Sequence, residues 1–402
     1  MTVPTVAVIG ATGHGRWHLR QVDDLARRGR ARLAAVCDIQ PIGSTEDGPI
    51  PDGTPFFTDY RAMLAQVRPD VVVIVTPPQT HLAMATDALR SGADLLLEKP
   101  PTPTLAEHRQ LAATLAETGR VCQVGFQALA SPAIAALFAA VRGGDLGEIV
   151  GVSAVGAWMR SDAYYQRAAW AGRRYLGGHP TGDGALANPF AHAVMNCIAV
   201  VAAAGGDPTA ATVAAELYRC RSIEVEDTAC IRVTPRSGPP MVIAVTLCAD
   251  EEINGDIIVQ GTLGRAVLAY RDETLQLPAD PQPRLLPGTV GPLENLLDHR
   301  DDPTVPLYAP LAATEPFTAL LDVLRGLPDP VVVPTAYRTD HHDMLTRRIA
   351  IEGVNAAVRA AGERLLLFSE LGVEWAAAPH RVGGSGSAVA AGHVEERREG
   401  LG

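Results

Sequence analysis

The sequence predicts an α/β protein: an N-terminal doubly wound parallel sheet followed by an α+β domain built on an antiparallel sheet. Three observations carry this. Short β-like runs alternate with helical patterns over the first 125 residues. One of those runs, residues 71–76, is apolar at five successive positions, as a central strand covered on both faces requires. After residue 125 the pattern changes to β-like segments arriving in series.

In order, the expected strands of the first domain are Thr5–Ile9, Leu33–Cys37, Val71–Thr76, Asp94–Leu97 and Val121–Val124. Helices are expected around Trp17–Arg28, Tyr60–Gln66, Thr80–Ser91 and Leu105–Glu117. The second domain, residues 126–378, opens with a helix at Pro132–Val141 and a strand at Ile149–Trp158. A loop rich in Tyr, Trp, Arg and Gly (159–184) leads to a long helix, about Ala185–Ala204. Strands follow at Thr212–Arg219, Ala229–Val233, Met241–Cys248, Ile257–Gln260 and Arg265–Ala269. Residues 276–316 are proline-rich and read as a lid, an intersubunit arm or a mobile insert. A last helix is expected at Asp343–Ala361, and residues 379–402, rich in Gly, Ser and Ala and then charged, read as a disordered tail.

The chain has 402 residues and a net charge of −11, which argues against a nucleic-acid partner and for a small molecule. No apolar stretch approaches the roughly 20 residues that span a bilayer. The first residues, MTVPTVAVIG, lack a basic n-region and a long apolar core, so a cytoplasmic protein is expected. None of the six cysteines has CxxC spacing; they read as reduced core thiols, and no metal site is expected.

One count stands out. The 34 basic residues are 33 arginines and a single lysine, Lys99. In a chain that uses arginine wherever a cation suffices, a retained lysine points to a need for a compact ammonium whose pKa burial can lower.

The glycine-rich turn Gly10-Ala11-Thr12-Gly13-His14-Gly15 follows the first strand and opens a helix. It is a dinucleotide fingerprint with Thr12 in the second glycine position, which marks the first domain as a Rossmann fold. Asp38 ends the second strand, 23 residues beyond Gly15, where a carboxylate accepts ribose hydroxyls and repels a 2′-phosphate. NAD is therefore expected over NADP. Thr76-Pro77-Pro78 with His81 closes the third main strand; His81 either touches the cofactor or caps and packs the helix start. Glu98-Lys99-Pro100-Pro101 ends the next strand on the same edge, where open α/β sheets bind ligands.

These motifs in this order resemble the Gfo/Idh/MocA family, glucose–fructose oxidoreductase, inositol dehydrogenase and their relatives. The resemblance covers about residues 5–270. It implies an open sheet in the second domain, a nicotinamide cofactor, a homodimer or homotetramer, and sugars, cyclitols or related polyols as substrates. It places Lys99 beside the nicotinamide and the reacting oxygen. Gly182-Asp183-Gly184…Asn188-Pro189-Phe190-Ala191-His192 resembles the family's D-x-x-x-H helix start, with Asn188 where relatives carry aspartate. His192 matches the family's catalytic or substrate-binding histidine; Asn188, whose amide accepts no proton, is expected to orient substrate. Within the 164–175 loop, Tyr165, Trp170 and Arg173 are candidate substrate contacts, with aromatic faces and forked donors suited to sugars. Gln127, after the last strand of the first domain, is placed to meet the cofactor carboxamide.

The expected chemistry is hydride transfer between the nicotinamide and a hydroxyl-bearing carbon, with His192 or a deprotonated Lys99 as base. Two alternatives fit the same residues. One is a redox-neutral epimerase or eliminase that retains its NAD and passes through a transient keto group. The other is a nicotinamide-sensing protein without catalysis.

Overall fold

The computed structural model describes residues 3–40, 50–342 and 346–383. The first domain is a six-stranded, fully parallel sheet: β1 (Thr5–Ile9), β2 (Arg32–Cys37), β3 (Phe56–Phe57), β4 (Val71–Ile74), β5 (Asp94–Leu97) and β6 (Cys122–Val124), in spatial order β3-β2-β1-β4-β5-β6. The order reverses at β1, which creates the crevice where such sheets take ligands. Both faces are buried. Val6, Val8, Val71, Val73 and Leu96 pack on Leu19, Val22 and Leu25 of helix α1 (Gly15–Arg27). Ala7, Ile9, Val72, Ile74, Leu95 and Leu97 face the opposite layer. Strand β3, two residues long, escaped the sequence reading because so short a run carries no periodicity.

The second domain carries a ten-stranded open sheet. Its longest strands, Ile149–Met159 and Cys248–Gly261, pair antiparallel along most of their length. Met241–Thr246 lies parallel to Ile149–Met159, so the sheet is mixed rather than purely antiparallel. One face of this sheet holds the helix Ala191–Ala203.

The other face is covered by the chain itself. Val155, Ala157, Tyr218, Val242, Ala244 and Ile258 pack on Val354, Val358, Ala361, Leu367, Phe368 and Trp375. Alternation along the strands suggests an outer face free to meet another subunit; instead a hairpin (Arg338–His342 with Arg347–Ile351) and the helix Val354–Arg364 bury it.

Four further expectations are corrected. The helix expected from Ala185 begins at Ala191, because Pro189 lacks an N–H and disfavours helical geometry before it. Within the helix expected at 343–361, residues 347–351 form a strand. The helix starts only after Gly353, whose φ of 70° breaks helical continuation; residues 343–345 lie outside the described residues. The proline-rich segment 276–316 is a docked strap. Its helix Pro292–Asp301 inserts Leu293, Leu296 and Leu297 into the first domain's core, and Arg28, Arg30 and Asp94 pair with Glu294, Asp298 and Arg300. Of the tail expected to be disordered, His380–Gly383 is a strand paired antiparallel with Ala210–Arg219; residues 384–402 lie outside the described residues. All six cysteines are free and buried. No described helix is long and apolar enough to cross a membrane.

Candidate active site

A cleft of about 650 Å³ opens at the carboxyl edge of the parallel sheet and is closed from the other side by the second domain. It is lined by His14, Thr76, Pro77, Glu98, Lys99, Gln127, Trp158, Trp170, Asn188 and His192. Lys99 and Asn188, 89 positions apart, meet because β5 ends at the cleft floor and the turn before Ala191–Ala203 descends on it.

Lys99 is held by one residue. Its Nζ donates to the backbone oxygen of Asn188 at 3.0 Å and to Oδ1 at 2.8 Å. The Asn188 Nδ2 donates to Asp183 Oδ1 at 3.1 Å. Asp183 is buried and accepts also from Arg167 Nη2 at 3.1 Å and the Gly172 N–H at 2.7 Å. A carboxylate only accepts, so Asp183 fixes which end of the amide faces it and turns the amide oxygen toward Lys99. Asn188 and His192 both line the cleft, although Asn188 sits in the turn and not on the helix.

Burial lowers the Lys99 pKa, an effect the charges of Glu98 and Asp183 oppose and Arg167 reinforces. Burial, and then the Lys99 charge, push His192 down to about 3. Its Nδ1 is buried without a partner. The imidazole is therefore neutral across the physiological range and a far weaker base than the amine beside it. Glu98 is different. Burial works against its charge, yet hydrogen bonds from His14 and His18 hold it well below the usual carboxylate range. Its Oε1 lies 2.8 Å from His18 Nε2 and 3.4 Å from His14 Nε2, and Oε2 accepts the Lys99 N–H at 3.1 Å. Glu98 thus anchors the backbone that presents Lys99.

The dinucleotide end is built from the glycine turn. Gly10 has φ +86°, and a Cβ there would lie 2.6 Å from the Val75 carbonyl oxygen, so only glycine lets the turn close against β4's end. Gly13 and Gly15 belong to the same turn, Gly15 donating to the Thr12 carbonyl at 2.9 Å. Asp38 is 8% exposed; its Oδ2 accepts from the Ala11 N–H at 2.9 Å and from the Thr12 N–H and Oγ1 at 3.3 Å. Thr12 thereby gains a polar anchor that a glycine in its place would lack. The Gln127 Oε1 is buried in the cleft wall with no partner, an acceptor free for a carboxamide N–H. The residues present fit a nicotinamide dinucleotide.

Three expected contacts are displaced. His81 is fully buried, its Nε2 2.8 Å from the Thr76 oxygen and Nδ1 near the Pro100 and Pro101 oxygens, so it stitches two strand ends together behind the cleft wall. Tyr165 is turned away from the cleft by the short helix Asp162–Tyr165 and lies under the Arg221 guanidinium. Arg173 is exposed; its backbone N–H donates to the Trp170 carbonyl at 3.2 Å and its own carbonyl accepts from Thr181 Oγ1. In the same loop, the Arg167 guanidinium lies 4.6 Å from the Trp170 ring centroid. Trp158, His18 and Asp183 escaped the sequence reading as site residues. Trp158 and His18 are hidden inside apolar or helical patterns, while Asp183 stood between two glycines that marked its turn.

Fold and site together define a two-domain protein whose first domain is a Rossmann-type nucleotide-binding sheet with a cleft at its carboxyl edge. Residues 5–126 match the Gfo/Idh/MocA model, an oxidoreductase family with an NAD-binding Rossmann fold. The chain is 38% identical over 79 residues to the scyllo-inositol 2-dehydrogenase (NAD(+)) of Bacillus subtilis, covering 20% of this chain and 23% of that one. It is 30% identical over 157 residues to inositol 2-dehydrogenase 1 of Saccharopolyspora erythraea, 39% of this chain and 46% of that one. These matches thus span less than half the length of the curated relatives. Among solved structures, the WlbA dehydrogenase of Bordetella pertussis, in complex with NADH and UDP-GlcNAcA, superposes with a TM-score of 0.66 at 20% identity, over 82% of this chain and 99% of that one. That likeness extends the shared fold to both domains.

Proposed function

We propose that this protein is an NAD-dependent dehydrogenase acting on a CH–OH group of a sugar, cyclitol or related polyol. The observation that carries the reading is a half-buried lysine, the chain's only one, held by Asn188 in the same cleft as the unpartnered Gln127 oxygen. Two of the relatives are named for inositol substrates, which supports this substrate class.

Gly10, Gly13, Gly15, Asp38 and Gln127 would hold the dinucleotide, which supplies the hydride acceptor or donor when bound. Asn188 takes two of the three Lys99 protons and leaves the third for a substrate oxygen. As ammonium, Lys99 stabilises developing alkoxide charge; as free amine, it accepts the hydroxyl proton. His192, neutral, offers a hydrogen bond to the same substrate, and the base is Lys99. Trp158 and Trp170 present faces suited to a sugar ring. Asp38 favours NAD because a 2′-phosphate would meet a buried carboxylate.

A panel of sugars, cyclitols and sugar acids with NAD and NADP, followed at the nicotinamide absorbance, tests this. Net NADH formation with at least one polyol is expected. Substrate conversion without absorbance change would replace it with the redox-neutral reading, and NAD binding with no conversion of any polyol would overturn it.

A further inference from the structure

Glu226 has no place in the cleft, yet it grips the turn that positions Lys99. It lies between the strands Ala210–Arg219 and Thr228–Pro235, and it lines a small cavity of about 50 Å³ beside the cleft. Its Oε1 accepts from the Leu186 N–H at 3.1 Å, and its backbone oxygen accepts from the Ala185 N–H at 3.0 Å. Gly184 lies directly against the carboxyl: φ is +114°, and a Cβ there would stand 2.5 Å from Oε1. One residue thus touches three successive members of the turn. Asn188, which donates its N–H to the Gly184 oxygen at 3.1 Å, continues that turn and gives both its oxygens to Lys99 Nζ.

We infer that Glu226 is a positioning residue for the Lys99 amine, its charge state transmitted through residues 184–188 to the Lys99–Asn188 contact. The functional meaning rests on the dehydrogenase reading; the geometry and its test do not. The charged groups around Glu226 are Asp183 from the same turn, Arg174 from the preceding loop and Arg325 from the helix Glu315–Arg325. Burial moves the carboxyl up to about 7; hydrogen bonds from backbone N–H groups and the Arg174 charge oppose the shift, and the Asp183 charge adds to it. Below that pH a neutral acid supports the turn. Above it a second negative charge stands beside Asp183, at the rear of the residue that holds Lys99, and favours the ammonium.

The single lysine makes this directly observable. Protein grown with lysine labelled at Cε gives one carbon signal, from Lys99, without any substrate. In the wild-type protein that signal is expected to show an inflection near pH 7, separate from the lysine's own titration. Glu226→Gln, which keeps the acceptor and the shape, should lose the inflection while NAD titrates as in wild type. Glu226→Leu, which leaves the Leu186 N–H without its acceptor, should displace the signal at every pH. The same inflection in Glu226→Gln, its absence in wild type, or a Glu226→Leu signal superimposable on wild type would overturn the inference. A failed polyol screen would overturn only the dehydrogenase reading, since the titration needs no turnover.

Discussion

Asn188 gives both of its oxygens to the Lys99 ammonium, at 3.0 Å from the backbone carbonyl and 2.8 Å from Oδ1, while its Nδ2 is held by Asp183. An amide stands where the resemblance to the family implies a carboxylate. The negative charge is thereby moved one residue back, from contact with the lysine to the far side of the amide. That arrangement keeps the ammonium hydrogen-bonded without the full pull of a contacting carboxylate, and burial is left free to lower its pKa.

Asn188→Asp restores that carboxylate. The pH–rate limb governed by Lys99 is expected to move upward by about one unit or more, because an opposite charge in contact favours the protonated amine. A limb that stays in place would show that another group titrates. Asn188→Ala should instead leave the limb near its original position while turnover falls by about tenfold or more, since the amine loses its orientation.

Cofactor choice follows from Asp38. NAD should bind at least about tenfold more tightly than NADP in direct titration, because a 2′-phosphate costs Coulomb repulsion near a carboxylate already enclosed by the glycine turn. Asp38→Ala should narrow the ratio and also weaken NAD, as the Ala11 and Thr12 N–H groups lose their acceptor. Equal affinities in the wild-type protein would contradict the assignment.

His192 gives a stability signature. Its folded-state pKa, near 3, is below the unfolded value, so the unfolded chain binds the proton first. Its contribution is complete above the unfolded pKa and is lost as pH falls from there toward the folded value. Between about pH 7 and pH 4.5, wild type should lose about 2 kcal/mol more than His192→Gln, read as the difference in urea unfolding free energy. Equal losses would place the histidine in a solvated setting.

The first domain was legible because four of its strands, β1, β2, β4 and β5, are short apolar runs ending in a motif with a chemical reason for its place: Gly10 to Gly15, Asp38, Thr76-Pro77 and Glu98-Lys99. Lys99 was doubly legible, by motif and by its singularity. The second domain was legible only as a string of strands. Nothing local to Asn188 reveals that its partners are Asp183 and a lysine 89 positions away, since such pairings are made by packing. Tyr165 and Arg173 show the converse: residue types suited to a ligand, turned elsewhere by a four-residue helix and an exposed loop. The strap at 292–301 and the C-terminal cover were hidden because their apolar residues are few per turn and bury against distant strands.

That cover has a measurable worth. Phe368 is fully buried between Tyr218 and Trp375 on the sheet face. Phe368→Ala should cost about 3–5 kcal/mol in chemical unfolding, through lost burial and the cavity left behind. A loss under about 1 kcal/mol would mean that the face is not held by this segment in solution.

The most direct measurement is the turnover of Lys99→Arg and Lys99→Met on an active polyol, made beside an NAD titration of each. Both variants should fold and bind NAD as wild type does, because the glycine turn and Asp38 lie apart from the amine. Arginine keeps the charge but cannot release a proton, and its fork cannot occupy the Asn188 cradle without displacing substrate; methionine removes the charge at similar length. Turnover should fall about 100-fold or more in each, the cost of a misplaced reacting group. Near-wild-type turnover in Lys99→Arg would contradict the reading, and would show that the one lysine in this chain is not its chemical centre.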